Sequence, residues 1–397
     1  MPNLPAPPVD ALAQSARLAA LIRNEIVAAG GWISFSRYMG LALYAPYLGY
    51  YVGGAKKFGE EGDFITAPEL TPLFGQALAA QVEEIMRASA SEVIEAGAGS
   101  GRLAVDLLLE LERRECPPER YGILELSAEL RARQRETLVR CAPRLAERVY
   151  WLDDLPPAFS GAVLANEVLD AMPLHVIAVR GGAVFERGVA LAADAPETFA
   201  WADRPATGAV LEAARRLPLP GGGGEGRGEG GESGYVTEIN LAAAAWVAEW
   251  GARLRRGALV LIDYGYPRDE FYAPLRARGT LMCHYRQRAH EDPFLWPGLA
   301  DMTGSVDFSA MAEAGFDAGL DVLGYTSQGQ FLLNCGVLDC LARREPEGAA
   351  SYARAASAVR RLTMAREMGE SFKVLALGRE MDTPLLGFVR GDRTCAL

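Results

Sequence analysis

From Val93 onward the chain alternates short apolar runs with stretches whose apolar positions recur at helical spacing. That rhythm is the signature of a parallel sheet flanked by helices. It predicts strands over residues 92–95, 121–126, 149–152, 161–166 and 258–264. Upstream, the pattern predicts a helix over about 11–29, ended by Gly30 and Gly31. A second helix opens at Thr71-Pro72, as N-cap and first-turn proline. The first residues, with Pro2, Pro5, Pro7 and Pro8, read as an extended tail. Between the fourth and fifth strands lies a longer stretch with a predicted hairpin around Gly181 and Gly182. The same stretch holds "PGGGGEGRGEGGESG", residues 220–234, whose composition cannot bury a core.

Composition narrows this picture. A chain of 397 residues, half of them hydrophobic, accommodates one large α/β domain plus a second unit or large insertions. A formal charge of -11 argues against a nucleic-acid surface and leaves room for a basic peptide partner. The six cysteines include no CxxC pair, so neither a zinc ribbon nor a disulfide framework is expected. No segment approaches 18 uninterrupted apolar residues, so no membrane insertion is expected, and the expected location is the cytoplasm.

The chemistry centres on "VIEAGAGSGRLAVDLLLEL", residues 93–111, with Gly97, Gly99 and Gly101 at every second position after Glu95. A phosphate loop needs lysine and a hydroxyl residue after its last glycine, where this chain has Arg102-Leu103. A dinucleotide fingerprint needs a small residue where Arg102 stands, which weakens that reading and leaves it open. What remains is a turn that approaches a ligand without phosphates, with an acid facing a cationic group. S-adenosylmethionine fits, having a cationic amine and sulfonium and two ribose hydroxyls. Glu125, 30 residues beyond Glu95, ends the second predicted strand, where an acid can accept both hydroxyls. Leu126 beside it joins the cofactor candidates. Asp153 and Asp154 end the third strand and either accept from the adenine amino group or cap the following helix.

Several blocks carry a resemblance: "GGWISFSRYMGLALYAPYLGYYVGG", "GEEGDFITAPELTPLFGQALA", "VIEAGAGSGRLAVDLL", "YGILELSAELRARQRETL", "ANEVLDAMP", "LIDYGYP", "FLWPGLADMTGSVDFSAM" and "QGQFLLNCG". Together they resemble the MidA-like family of S-adenosylmethionine-dependent methyltransferases, in order over nearly the whole chain. The resemblance implies a class I methyltransferase (Rossmann-like) fold: a seven-stranded, mostly parallel α/β sheet with the last strand antiparallel. It also implies a helical cap and lid over residues 1–90, a core over 91–340 with an insertion at about 175–235, and a C-terminal helix and final strands over 341–397. It further implies S-adenosylmethionine as cofactor, S-adenosylhomocysteine as product, and a protein arginine as acceptor. Mitochondrial members methylate a respiratory complex I subunit during assembly, which makes such a subunit the implied partner. Two departures are Leu152 after Trp151, where many members carry histidine, and the long glycine-rich stretch.

A guanidinium reaches the enzyme protonated, so carboxylates that grip it and accept a proton assist methyl transfer. "ANEVLDAMPLH" offers Glu167 and Asp170, three apart on what is expected to be the first turn of a helix. Asn166 is a cofactor candidate, or else caps that turn. His175 reads as a packed or surface histidine. The resemblance places Asp63 and Thr66 at the methionine end of the cofactor, with Phe64 as a cover or a core residue. Tyr44, Tyr50 and Tyr51 read as packing. Asp263 ends the fifth strand next to the site, with Tyr264 beside it, while a later block holds Asp301, Asp307 and Phe308, of which Asp307 with Ser309 reads as a helix start. His284 and His290 lack ligand spacing, so no metal site is expected. The rivals to protein arginine methylation are a small-molecule O- or N-methyltransferase and a non-catalytic assembly factor of the same fold.

Overall fold

The computed structural model describes residues 4–53, 66–219, 234–344 and 348–397. The chain divides into two units, neither a continuous stretch: Met1–Phe64, Asp170–Ala243 and Tyr266–Asp307 form the first, and Ile65–Leu169, Ala244–Gly265 and Phe308–Leu397 the second.

In the second unit the large sheet is built on β1 (Glu92–Ala96), β2 (Arg120–Leu124), β3 (Val149–Leu152), β4 (Phe159–Asn166), β5 (Leu254–Tyr266), β6 (Asp321–Ser327) and β7 (Phe372–Arg379). Their spatial order is β6-β7-β5-β4-β1-β2-β3. The strands from β1 to β5 pair in parallel. β7 runs antiparallel to both β5 and β6. Parallel strands are covered on both faces, which is why β4 and β5 read as unbroken apolar runs: Ala162 to Ala165 and Ala258 to Ile262 are all buried. All five predicted strands are present. β2 stops at Leu124, two residues short of the predicted end, because the chain turns there at Glu125.

The helices that cover the sheet include α1 (Leu73–Ala88), α2 (Arg102–Arg113) and α3 (Ala128–Cys141). α2 buries Leu103, Leu107, Leu108 and Leu111, the stripe that period 3.6 requires. α1 starts one residue later than the Thr71-Pro72 signal suggests. Pro72 occupies the N-cap position with φ already at -64°, and the Thr71 hydroxyl accepts from the Leu73 N–H at 3.3 Å. The chain leaves β1 toward β2 and β3 on one side, then returns to β4 and β5 on the other. That reversal between β1 and β4 is where open α/β sheets bind ligands, beyond the carboxyl ends of the strands.

The first unit carries an antiparallel sheet in the order Ile33–Ser34, Ala183–Leu191, His175–Arg180 and Tyr235–Ile239, with Phe199–Pro205 beside Ala183–Leu191. The predicted hairpin is present: Arg180 pairs with Ala183 across Gly181 and Gly182. The helix Val9–Ala28 starts two residues before its predicted position and buries Leu18, Ile22 and Ile26 at four-residue spacing. Tyr44 stacks on Tyr51 at 5.4 Å, and the Tyr51 hydroxyl donates to Asp301 Oδ2 at 2.8 Å. Among the described residues no helix is long and apolar enough to cross a membrane.

Candidate functional site

The glycine turn begins where β1 ends. Gly97 has φ +65° and its N–H donates to the Leu124 carbonyl at 3.0 Å, tying the turn to the end of β2. A Cβ on Gly97 would lie 3.0 Å from Val168 Cγ2, in the segment after β4. Gly101, at φ +80°, is the N-cap of α2, and a Cβ there would lie 3.2 Å from Gln134 Cα. Any L side chain at either position meets both an unfavourable backbone region and an occupied space. The turn is thus wedged between the β4 exit and α3, and its backbone lines the switch point.

Glu95 is buried one residue before the end of β1 and accepts from the Tyr121 hydroxyl at 2.6 Å. Burial pushes its carboxyl up to about 7, against the lowering effect of the Tyr121 hydrogen bond and with a further push from the Glu125 charge. Glu125 follows β2 directly. Its Oε1 accepts from the Ser127 N–H at 2.9 Å and its Oε2 from Gln134 Nε2 at 3.1 Å. Burial raises its pKa as well, with the Ser127 and Gln134 bonds opposing. Leu126 is 72% exposed, an apolar side chain presented at a strand end. Asp153, whose side chain is 86% exposed, is held by Arg131 at 2.7 Å, and Asp154 is exposed beside it. Arg131 also donates to the carbonyls of Glu125 and Leu152, each at 2.7 Å, so one guanidinium joins the ends of β2 and β3.

At the end of β4, Asn166 Nδ2 donates to Glu167 Oε1 at 3.1 Å, and the Ala67 N–H reaches the same oxygen at 3.4 Å. Glu167 takes φ +54°, rare for a side-chain-bearing residue. That conformation is held from β5: the Glu167 N–H donates to the Ile262 carbonyl at 2.9 Å, and Asp263 Oδ2 accepts from the Leu169 N–H at 3.1 Å. Buried Asp263 uses Oδ1 to accept from the Tyr264 N–H at 2.9 Å. Thr66 precedes the short helix Ala67–Leu70 as its N-cap.

The structure therefore brings together Glu95, Gly97, Gly99, Gly101, Glu125, Asn166, Glu167 and Asp263 around the strand ends. It corrects the expectation of a helix at the β4 exit: residues 167–172 form none, because Glu167 turns the chain with positive φ, so Glu167 and Asp170 do not share a helical face. Asp170 is buried in the first unit, where its carbonyl accepts from the Gly304 N–H at 3.0 Å. His175 bonds Glu186 at 2.7 Å within the sheet of that unit. Asp63 and Phe64 lie outside the described residues, as do residues 220–233 of the glycine-rich run. Asp307 ends the short strand Val306–Asp307, and a helix starts at Phe308. Among the described residues no cluster of three or more His, Cys, Asp or Glu is arranged to hold a metal ion.

Sequence reasoning passed over Gln134, Arg131, Tyr121 and the Ser100 hydroxyl, which donates to Glu69 Oε1. For Gln134 a signal existed. The buried stripe of α3 is Leu130, Gln134, Thr137 and Leu138, so a glutamine occupies a core position of an amphipathic helix.

A glycine turn with no following lysine, an acid closing the second strand and a half-buried amide at the fourth suit a nucleoside cofactor that carries positive charge rather than phosphate. Asn166 Oδ1 is buried without a hydrogen-bond partner among the described residues, which fits an ammonium donor. The class so defined is the S-adenosylmethionine-dependent methyltransferases. Comparison gives the particular family: the model of an S-adenosyl-L-methionine-dependent methyltransferase family matches residues 73–326, and the chain belongs to that family. A protein from Burkholderia thailandensis, crystallised with S-adenosyl-homocysteine, is 52% identical, with full coverage of both chains and a TM-score of 0.93. A native crystal structure from the same organism is 50% identical with a TM-score of 0.90, again over both whole chains. The Drosophila melanogaster protein arginine methyltransferase NDUFAF7 homolog, mitochondrial, is 27% identical over 94% of this chain and 88% of its own length. The Danio rerio NDUFAF7 is 29% identical over 80% of this chain and 76% of its own. This chain is an S-adenosylmethionine-dependent methyltransferase.

Proposed function

We propose that the enzyme methylates an arginine of a protein substrate and that Glu167 is the catalytic carboxylate. The observation that carries the reading is the placement of Glu167: a carboxylate held by the Asn166 and Ala67 N–H groups, in a turn fixed from β5, at the exit of β4. The relatives named as arginine methyltransferases and the acidic charge of the whole chain support it. When bound, the cofactor supplies an electrophilic methyl group. Glu125 would hold its ribose hydroxyls, Asn166 Oδ1 and Glu95 its cationic methionine end, and Gly97 and Gly99 would let the backbone approach it. Leu126 and Asp153 would take the adenine, Leu126 by apolar contact and Asp153 from the exposed rim. Glu167 would draw the guanidinium charge toward the nitrogens that do not react, leaving the reacting nitrogen more nucleophilic, and take up the released proton directly or through water.

The test is transfer of a labelled methyl group to an arginine-bearing protein, with a complex I subunit as the first substrate. Glu167→Gln is expected to lower turnover about 100-fold or more while S-adenosylhomocysteine affinity changes little. Label on a small molecule and none on protein arginine would sink the reading. Wild-type turnover in Glu167→Gln would remove Glu167 from the chemistry.

A further inference from the structure

We propose that Gln134 is a positioning residue for the cofactor site: its amide holds the Gly99 turn and the Glu125 carboxylate in one geometry, and the Trp151 indole sets which way that amide faces. The proposal rests on the reading of Glu125 as a cofactor-binding acid. Gln134 is fully buried and makes three bonds. Its Oε1 accepts from the Trp151 indole N–H at 2.8 Å, and its Nε2 donates to the Gly99 carbonyl and to Glu125 Oε2, each at 3.1 Å.

The orientation of a side-chain amide is ordinarily ambiguous. Here chemistry decides it. An indole N–H only donates, so the amide oxygen must face Trp151 on β3 and both amide hydrogens must point back toward β1 and β2. One side chain on α3 thereby reads the ends of three strands. Glu125 is fixed at both oxygens, by Ser127 and by Gln134, and each oxygen keeps acceptor capacity for a vicinal diol. The glycine turn is held by its carbonyl at Gly99, and the absent side chain of Gly101 lets the Gln134 backbone come this close. An apolar residue would serve the buried stripe of α3 better than a glutamine, so the amide is accounted for by its polar partners. The charged groups facing Glu125 are Glu95 on β1 and Arg131 on α3, the latter paired with Asp153.

The experiment is calorimetric titration of the full-length protein with S-adenosylhomocysteine, from neutral to alkaline pH. Wild type is compared with Gln134→Ala, Gln134→Glu and Trp151→Phe, with unfolding temperatures recorded for each. Gln134→Ala is expected to bind about tenfold or more weakly. Trp151→Phe, which frees the amide to turn over, should lose affinity by about threefold. Gln134→Glu keeps the shape, and when ionised it offers no donor and sets a second anion against Glu125. The two carboxylates then bind the ligand best when they share a proton. Its affinity should therefore strengthen as the pH is lowered from alkaline to neutral, whereas wild-type affinity should grow as the pH rises past about 7 and Glu95 ionises opposite the cationic ligand. A glutamine that only packs would lower the unfolding temperature without reversing that trend. Wild-type affinity in Gln134→Ala, or a wild-type pH trend in Gln134→Glu, would overturn the proposal, and unchanged binding by Trp151→Phe would remove the indole from it. If wild type itself does not bind the ligand, the cofactor role of Glu125 falls first and the proposal with it.

Discussion

Glu95 sits where two demands conflict. Buried beneath the switch point, it is pushed up to about 7 from an ordinary value of 4.5, so burial favours its neutral form. A group raised on folding contributes stability that is complete below its unfolded value and is lost as pH rises through its folded value. For Glu95 that window runs from about 4.5 to about 7. Glu95→Gln keeps an acceptor for the Tyr121 hydroxyl and cannot ionise. Its melting temperature should therefore rise relative to wild type as pH increases across that window, as thermal unfolding at a series of pH values would show. The cationic end of the cofactor needs the anion, so wild-type affinity should grow as pH passes about 7 and the variant should be flatter. Parallel titration curves for the two proteins would mean that Glu95 does not face the ligand.

At the scale of elements, the turn after β4 is shaped by its neighbour β5. Asp263 accepts from the Leu169 and Tyr264 N–H groups with separate oxygens, and Ile262 receives the Glu167 N–H. Asparagine can supply one of those acceptors and not both. Asp263→Asn should lower kcat by about tenfold and leave S-adenosylhomocysteine binding within about threefold, since Glu125 and the glycine turn lie on other strands. Steady-state kinetics beside calorimetry would separate the two effects; an equal loss of both would place Asp263 at the cofactor instead. Much of this was legible beforehand. Unbroken apolar runs announced β4 and β5, and the alternate glycines with Glu95 and Glu125 marked the strand ends at the switch point. The Glu167 turn was not, because period and capping rules describe helices, and nothing local announces a positive φ imposed by hydrogen bonds from β5. The period of α3 shows Gln134 as a buried glutamine, but its three partners lie at the ends of three strands, and sequence spacing does not reveal them.

For the whole molecule the net charge of -11 becomes a kinetic quantity. An arginine-bearing protein segment approaching an acidic enzyme is drawn by a field that salt screens over about 10 Å at 0.1 M. KM for a basic protein substrate should rise several-fold between about 50 and 200 mM salt, with kcat nearly constant. Equal KM values across that range would show that the overall charge plays no part in substrate capture.

The place of β7 has a consequence for biosynthesis. It is the last strand of the large sheet along the chain, and it lies between β5 and β6. While the polypeptide is emerging from the ribosome, β5 can dock on β4, yet the other edge of its Gly257–Tyr264 stretch stays open until residues 372–379 have been translated. That edge borders the run from Ala258 to Ile262, an apolar template of the kind that recruits other strands. A nascent chain stalled or truncated before β7 is therefore a client for chaperones, and the stretch of β5 from Gly257 to Tyr264, which carries Asp263, gains its second neighbour only near the end of synthesis.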